Sequence, residues 1–388
     1  MSVIPAEQLL RLLKAGLPIP GEDGRRLVTL AATAAIRDAV AAVNEARSRI
    51  ANGEKVAFWV TGRPGNGKSQ SLRQLVYELA RLTGLGKYAL AAIDFDKQPE
   101  ARRTAGLIPA IVRQCLIAGV TVGGLEGAGS SSIPSKPQHA ANIESLAFGA
   151  DVLASLSGLP PVSLVAARGM QAVWKWPPVQ KWRIRRRLTN RWASHPQLVE
   201  FLAAWAGYVM RPTPEGEADL DAYLGRLAST DRLLDLFGYA LQESGYTALV
   251  LAFDEVSADS LTALKTLWDP RVNPMVTFEQ KLNLVFVLAA RDSTYEQAVA
   301  DPALGRRFCD PPSGRSRLSG PSVDPALPAD DFTHVTAKVD ELLRDAEHQR
   351  NVPVTAGDLQ NLRGRLSQSA DLTWQQLWRD VIGLMVKP

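Results

Sequence analysis

Four short apolar runs divide the chain: Val56 to Val60 (VAFWV), Lys87 to Phe95 (KYALAAIDF), Ala248 to Phe253 (ALVLAF) and Leu282 to Ala290 (LNLVFVLAA). Continuous apolar stretches of this length predict strands buried on both faces, as in the middle of a parallel sheet. Between and around them the apolar positions recur at helical spacing. SLRQLVYELARL and the stretch from about Ala105 to Ala118 predict helices beside the strands. Upstream, Ile4 to Leu17 places Leu9, Leu10, Leu12 and Leu13 on one side and stops at Gly16 and Pro18. An alanine-rich helix from about Thr29 to Ala51 stops at Asn52-Gly53 and is expected to pack beside the strands. Downstream, a Pro/Gly/Ser-rich connection from Pro311 to Pro328 leads to three amphipathic segments, Phe332 to Arg350, Thr355 to Leu366 and Thr373 to Met385, which suggest a small helical lid.

The first strand ends in chemistry. Gly62, Gly67, Lys68 and Ser69 fill the fixed places of G-x-x-x-x-G-K-[ST], with a strand before the motif and a helix after it. Gly62, Gly65 and Gly67 allow a tight turn whose N–H groups approach phosphate oxygens. Lys68 adds a mobile positive charge, and the helix that starts there points its free N–H groups at the same anion. The Ser69 hydroxyl suits Mg²⁺. The predicted cradle is therefore Gly62, Arg63, Pro64, Gly65, Asn66, Gly67, Lys68, Ser69 and Gln70, and the predicted ligands are ATP and Mg²⁺.

The fold class that accommodates these runs is α/β, a P-loop NTPase with a parallel sheet flanked by helices. In such a sheet ligands collect at the carboxyl ends of the strands, so Asp254, at the end of ALVLAF, can meet Ser69 around one metal ion. Glu255 would orient or deprotonate the attacking water, since phosphoryl transfer needs positioning and charge neutralisation. Alone, two acids there would be an ordinary polar exit from a strand. Arg291, Asp292, Ser293 and Thr294 end the last apolar run, where a residue sensing the γ-phosphate would sit. Arg306 and Arg307 follow near a helix end; one of them could reach a neighbouring subunit's nucleotide, or both could simply be solvated there.

Composition narrows the setting without choosing it. The 388 residues, 46% hydrophobic and 22% charged, are ordinary for a globular protein, and a net charge of +4 permits a nucleic-acid partner. Cys115 and Cys309 suggest no disulfide framework, and the four histidines lack metal-ligand spacing. Met1 to Pro20 lacks the form of a secretion signal. The longest apolar stretch, Leu146 to Ala167, is interrupted by Asp151 and Pro160-Pro161, so a cytoplasmic location and no membrane span are expected.

Charge distribution is more telling. From Val152 to Val199 there is no Asp or Glu, whereas Arg168, Lys175, Lys181, Arg183, Arg185, Arg186, Arg187 and Arg191 fall there, interleaved with Trp174, Trp176, Trp182 and Trp192. On a helix Arg183, Arg186, Arg187 and Arg191 share one face and Ile184, Leu188 and Trp192 another. The first face could bind DNA or RNA backbone and exposed tryptophans could stack on unpaired bases. The same pattern fits a solvated basic helix with core or interface tryptophans, an acidic protein partner or a self-assembly surface.

The order of features, P-loop strand, DE strand, apolar strand with a polar end, paired arginines and helical lid, resembles an AAA+ ATPase. More narrowly the chain resembles the ATP-binding proteins of BREX phage-defence systems, themselves similar to origin-recognition initiators. The matching stretches are LLKAGLPIP, FWVTGRPGNGKSQSLRQL, ALAAIDFDKQPEARR, LLDLFGYALQESGYTALVLAFDE and LNLVFVLAARDSTYEQAVADPALGRRF. The resemblance implies an N-terminal helical region over 1–50 and an AAA+ core over 51–310 with a basic helical insertion at about 120–235. A linker and C-terminal helical lid over 311–388 complete it. With the basic insertion, the chain is expected to form a homo-oligomer completed by Arg306 or Arg307 that hydrolyses ATP and acts on DNA or RNA; the resemblance adds a setting in antiviral defence with protein partners. Three features depart from the family pattern: Trp374 stands where the lid usually offers an arginine, with Arg379 a turn later; Arg291 replaces the usual asparagine or threonine; and the insertion is unusually basic. The first two bear on hydrolysis rate more than on binding, and keep open a nucleotide-gated scaffold with slow or no turnover.

Overall fold

The computed structural model describes residues 6–15, 29–45, 55–81, 87–118, 143–158, 177–210, 213–228, 233–268, 283–310, 313–328, 330–345 and 354–386. In chain order the principal elements are α1 (Ala6–Ala15), α2 (Leu30–Glu45), β1 (Val56–Gly62), α3 (Lys68–Arg81), β2 (Lys87–Asp94) and α4 (Thr104–Arg113). Then come α5 (Ile143–Ser157), α6 (Pro177–Arg191), α7 (Pro196–Met210), α8 (Pro214–Ala228) and α9 (Leu233–Glu243). The chain continues through β3 (Tyr246–Val256), α10 (Ala258–Trp268), β4 (Asn283–Ala290), α11 (Asp292–Ala300) and β5 (Gly314–Leu318). It closes with α12 (Asp331–Asp345), α13 (Ala356–Ser367) and α14 (Trp374–Met385).

All five strands are parallel, in the order β2-β3-β4-β1-β5. The continuous apolar runs form the four strands predicted, and the alternation along β1 explains why both faces are dry. Ala57 and Trp59 enter one core with α4, α10 and α11, while Val56, Phe58 and Val60 enter the other with α2 and α3. Trp59 is fully buried and its indole N–H donates to the Phe308 carbonyl at 2.8 Å, satisfying the one polar group that its burial would strand.

One placement differs from the sequence-based expectation, and two others the sequence left open. The segment from Pro311 to Pro328 is not only a linker, because Gly314–Leu318 adds a fifth strand beside β1. The basic insertion is continuous with the core of the sheet: Phe148, Leu188, Phe201, Trp205, Leu220 and Phe237 join the same cluster as Trp59 and Phe253. Arg113 of α4 pins it further, reaching Asp221 at 2.9 Å and Glu217 at 2.6 Å on α8. The apolar stripe of α1, whose partner the sequence left open, joins the C-terminal helices. Leu10 and Leu13 lie in the lid core with Val335, Leu362, Leu377 and Ile382, whereas Ala35, Ala39 and Val43 of α2 lie under the sheet.

Among the described residues, no helix is long and apolar enough to cross a membrane.

Candidate functional site

Parallel pairing brings the carboxyl ends of the strands to one edge of the sheet. Thr61 pairs with Ala290 across β1 and β4, and Asp94 pairs with Asp254 across β2 and β3, so the P-loop and the acids leave the sheet side by side. The ladder slips by one residue at that edge: Phe253 pairs with Leu288 but Val256 with Ala290. The extra residue forms a bulge, and within it Glu255 adopts φ 52°, a left-handed conformation that no other non-glycine residue takes among those described. A bulge of this kind re-aims the side chains beside it, here Asp254 and Glu255.

Ser69, in the first turn of α3, bonds through its hydroxyl to the buried Asp254 carboxylate, which also accepts the Glu255 N–H at 3.0 Å. Burial pushes the Asp254 carboxyl up to about 6; the bond from Ser69 opposes the rise, while the charges of Asp94 and Glu255 add to it. Lys68 is buried as well, and its ammonium donates to the Arg63 carbonyl at 3.3 Å. Burial holds its pKa below the ordinary lysine value against the pull of Glu255 and Asp254; Arg291 lowers it further and Asp292 opposes that. One lysine thus feels four of the strand-end charges, so the predicted Lys68, Asp254, Glu255 and Arg291 do converge.

The loop is shaped for an anion. Gly65 and Gly67 take φ +80° and +83°, where side chains are strained, and a Cβ placed on Gly67 would meet no atom within 4 Å. The space over Gly67 is therefore open next to Lys68, and the Ser69 hydroxyl with the Asp254 carboxylate is a hard oxygen pair of the kind that suits Mg²⁺. Among the described residues no group of three His, Cys, Asp or Glu side chains could hold a metal. The chain would therefore offer Mg²⁺ two ligands and leave the others to phosphate and water, a common arrangement for this ion.

The other predicted cradle residues divide between site and lid. Asn66 is buried, donates to the Leu318 carbonyl at 3.4 Å and leaves its Oδ1 unpaired. Arg63 turns to the lid, where it pairs with Asp371, and Pro64 is exposed; Gln70 is half-buried. Gln375 of α14 donates its backbone N–H to the Gly65 carbonyl at 3.0 Å, and the buried Trp374 donates to the Ser319 carbonyl at 3.1 Å. The C-terminal helices therefore rest on the glycine-rich loop itself. Arg306 is exposed, while Arg307 is half-buried and donates to the Ala303 carbonyl.

Sequence reasoning passed over a second network at this edge. Asp292 accepts from Arg315 at 2.7 Å, lies 3.3 Å from Arg317 and bonds the Thr61 hydroxyl. Burial alone would raise its carboxyl, yet the bonds from Thr61 and Arg315 hold it below the usual range. Asp94 was equally overlooked, although it too is an acid ending an apolar run; it pairs with Lys97 at 3.0 Å.

The basic helix α6 forms as predicted, with Ile184 and Leu188 buried and Arg185, Arg186 and Arg187 exposed. Two of its predicted nucleic-acid arginines are engaged elsewhere. Arg191 donates to the Ser155 carbonyl at 3.0 Å, Arg187 approaches the Gly158 carbonyl at 3.5 Å, and the Trp192 indole donates to Leu156 at 3.0 Å. Together they cap the C-terminal end of α5, which lacks partners of its own for its last carbonyls. The Arg183 side chain, Trp174 and Trp176 lie outside the described residues. No protein-family model, curated protein or solved structure matches this chain.

Proposed function

We propose that the chain is an ATP-binding and ATP-hydrolysing P-loop ATPase of AAA+ type that acts on nucleic acid. One observation carries this reading: the P-loop Ser69 and the strand-end Asp254, far apart in sequence, are joined by a hydrogen bond, with Lys68 buried alongside and Glu255 next in the chain. Lys68 and the N–H groups of the glycine loop would bind the phosphates. Ser69 and Asp254 would hold Mg²⁺, which supplies charge neutralisation when bound. Glu255, half-buried at the same edge, would orient the attacking water, and the exposed Arg306 is the better placed of the paired arginines to serve a neighbouring subunit. A setting in antiviral defence rests on the sequence resemblance alone.

The rival reading, a nucleotide-gated scaffold, draws support from Trp374. Its ring is buried and its N–H is committed to Ser319, so the first turn of α14 offers an indole packed inward where an arginine would favour turnover. Steady-state ATP hydrolysis with and without single- and double-stranded DNA, beside Glu255→Gln at matched salt, decides between them. Turnover that is lost in the variant supports the ATPase; bound ATP without turnover under every condition supports the scaffold.

A further inference from the structure

The arginines of α6 do two different jobs. Its C-terminal turn is spent on α5, through Arg187, Arg191 and Trp192. Its middle is not. Trp182 is 57% exposed, and it is the one aromatic among the large apolar side chains left exposed in the described residues. The Arg186 guanidinium lies over its ring at 5.2 Å from the centroid, and Arg185 is exposed beside it. Among the described residues Arg185 and Arg186 form no ion pair, and the surrounding sequence from Val152 to Val199 supplies no acid.

We infer that Trp182 is a stacking platform for an unpaired base, with Arg185 and Arg186 meeting the adjoining phosphates, so that the partner of α6 is single-stranded nucleic acid. This rests on the nucleic-acid part of the function proposed above and is independent of ATP turnover. The argument is one of shape and charge together. An indole with a guanidinium over its ring can sandwich a flat ring against its other side, and each of these contacts favours aromatic rings that carry phosphate. In a duplex the base faces are already stacked on one another, so only an unpaired base can use the indole. An acidic protein segment would satisfy the arginines but leave the ring exposed.

Fluorescence anisotropy with a labelled single-stranded oligonucleotide and the blunt duplex of the same sequence, without nucleotide and over a range of salt, tests this. Trp182→Ala should weaken single-strand binding about tenfold and leave duplex binding unchanged, with Trp182→Phe restoring most of the loss. Arg185→Gln with Arg186→Gln should weaken binding of either strand form and lower the single-strand salt slope by about 1.4. Because Trp182 is exposed, the fold should survive, which unchanged thermal midpoints would verify. Equal binding of both forms by the wild type, or no loss on Trp182→Ala, overturns the single-strand inference alone. Binding of neither oligonucleotide overturns the nucleic-acid reading with it, and binding of polyglutamate in their place points to an acidic protein partner.

Discussion

Glu255 sits in the bulge of β3 with φ 52°, and replacing it separates its chemistry from its backbone. The left-handed region costs an L-residue roughly 1–2 kcal/mol, because Cβ crowds the following carbonyl oxygen. Glycine has no such cost, but it loses about 0.5–1 kcal/mol more conformational freedom on folding. The Glu255 carboxylate repels Asp254 but attracts the buried Lys68, so the two charge effects of removing it oppose each other and the backbone conformation decides. Glu255→Gly should therefore stabilise the nucleotide-free protein by about 0.5–1 kcal/mol, which for a chain of this size moves the thermal midpoint up by about 0.6–1.2 °C. Glu255→Gln keeps the strained backbone and should move it less. Both variants should bind ATP and fail to hydrolyse it. Circular dichroism melting at neutral pH beside a phosphate-release assay gives both readouts. A Glu255→Gly protein less stable than wild type by more than about 1 kcal/mol would refute the strain argument, and one that still turns over ATP would refute the catalytic role.

Asp254 should give the protein an unusual pH dependence. Its carboxyl is raised on folding from its ordinary value to about 6, so its contribution to stability is fully present below about pH 4 and lost as pH rises through about 6. The unfolding free energy of the nucleotide-free protein, read from denaturant melts, should fall across that window by on the order of 2–3 kcal/mol, and Asp254→Asn should flatten the fall. Mg²⁺-dependent ATP binding should strengthen over the same window, measured by titration at fixed salt. Gly67→Ala meets no atom of the fold, so it should cost only about 1–2 kcal/mol of backbone strain while abolishing ATP binding. Gly65→Ala would bring a Cβ to 3.0 Å from the Thr373 Oγ1 and so should also loosen the lid, seen as faster limited proteolysis of α14. Arg191→Ala removes a cap from α5 and should lower stability by about 0.5–1 kcal/mol with no dependence on nucleic acid.

The site was legible in the sequence where its local signals are strong. A glycine-rich turn between an apolar strand and a helix has few other uses, and a wholly apolar run ending in Asp254-Glu255 states its own burial. What escaped is set by pairing across the chain. GRSRL has two arginines in five residues and hides as a linker, because an edge strand needs little apolar surface and charge on it guards against unwanted pairing. Arg315 and Arg317 make sense only once Asp292 is beside them. Periodicity correctly placed Arg187 and Arg191 on the polar face of α6, but whether such arginines meet solvent, a ligand or the end of another helix depends on where α5 stops. Leu10 and Leu13 advertised an apolar stripe without saying which core would take it.

That last stripe has a consequence for synthesis. Helix α1 leaves the ribosome ahead of the rest of the described residues, yet its partners in the C-terminal core, α12 and α14, lie at the other end of the described chain. At about 5–20 residues per second Leu10 and Leu13 must wait on the order of tens of seconds for Leu377 and Ile382 to emerge. During that interval the sheet beneath α2 can assemble while the α1 segment, too short to hold a helix alone, remains an uncovered apolar stripe that a chaperone or a neighbouring nascent chain can engage. Closing that core is then a late folding event that joins the first and last described helices.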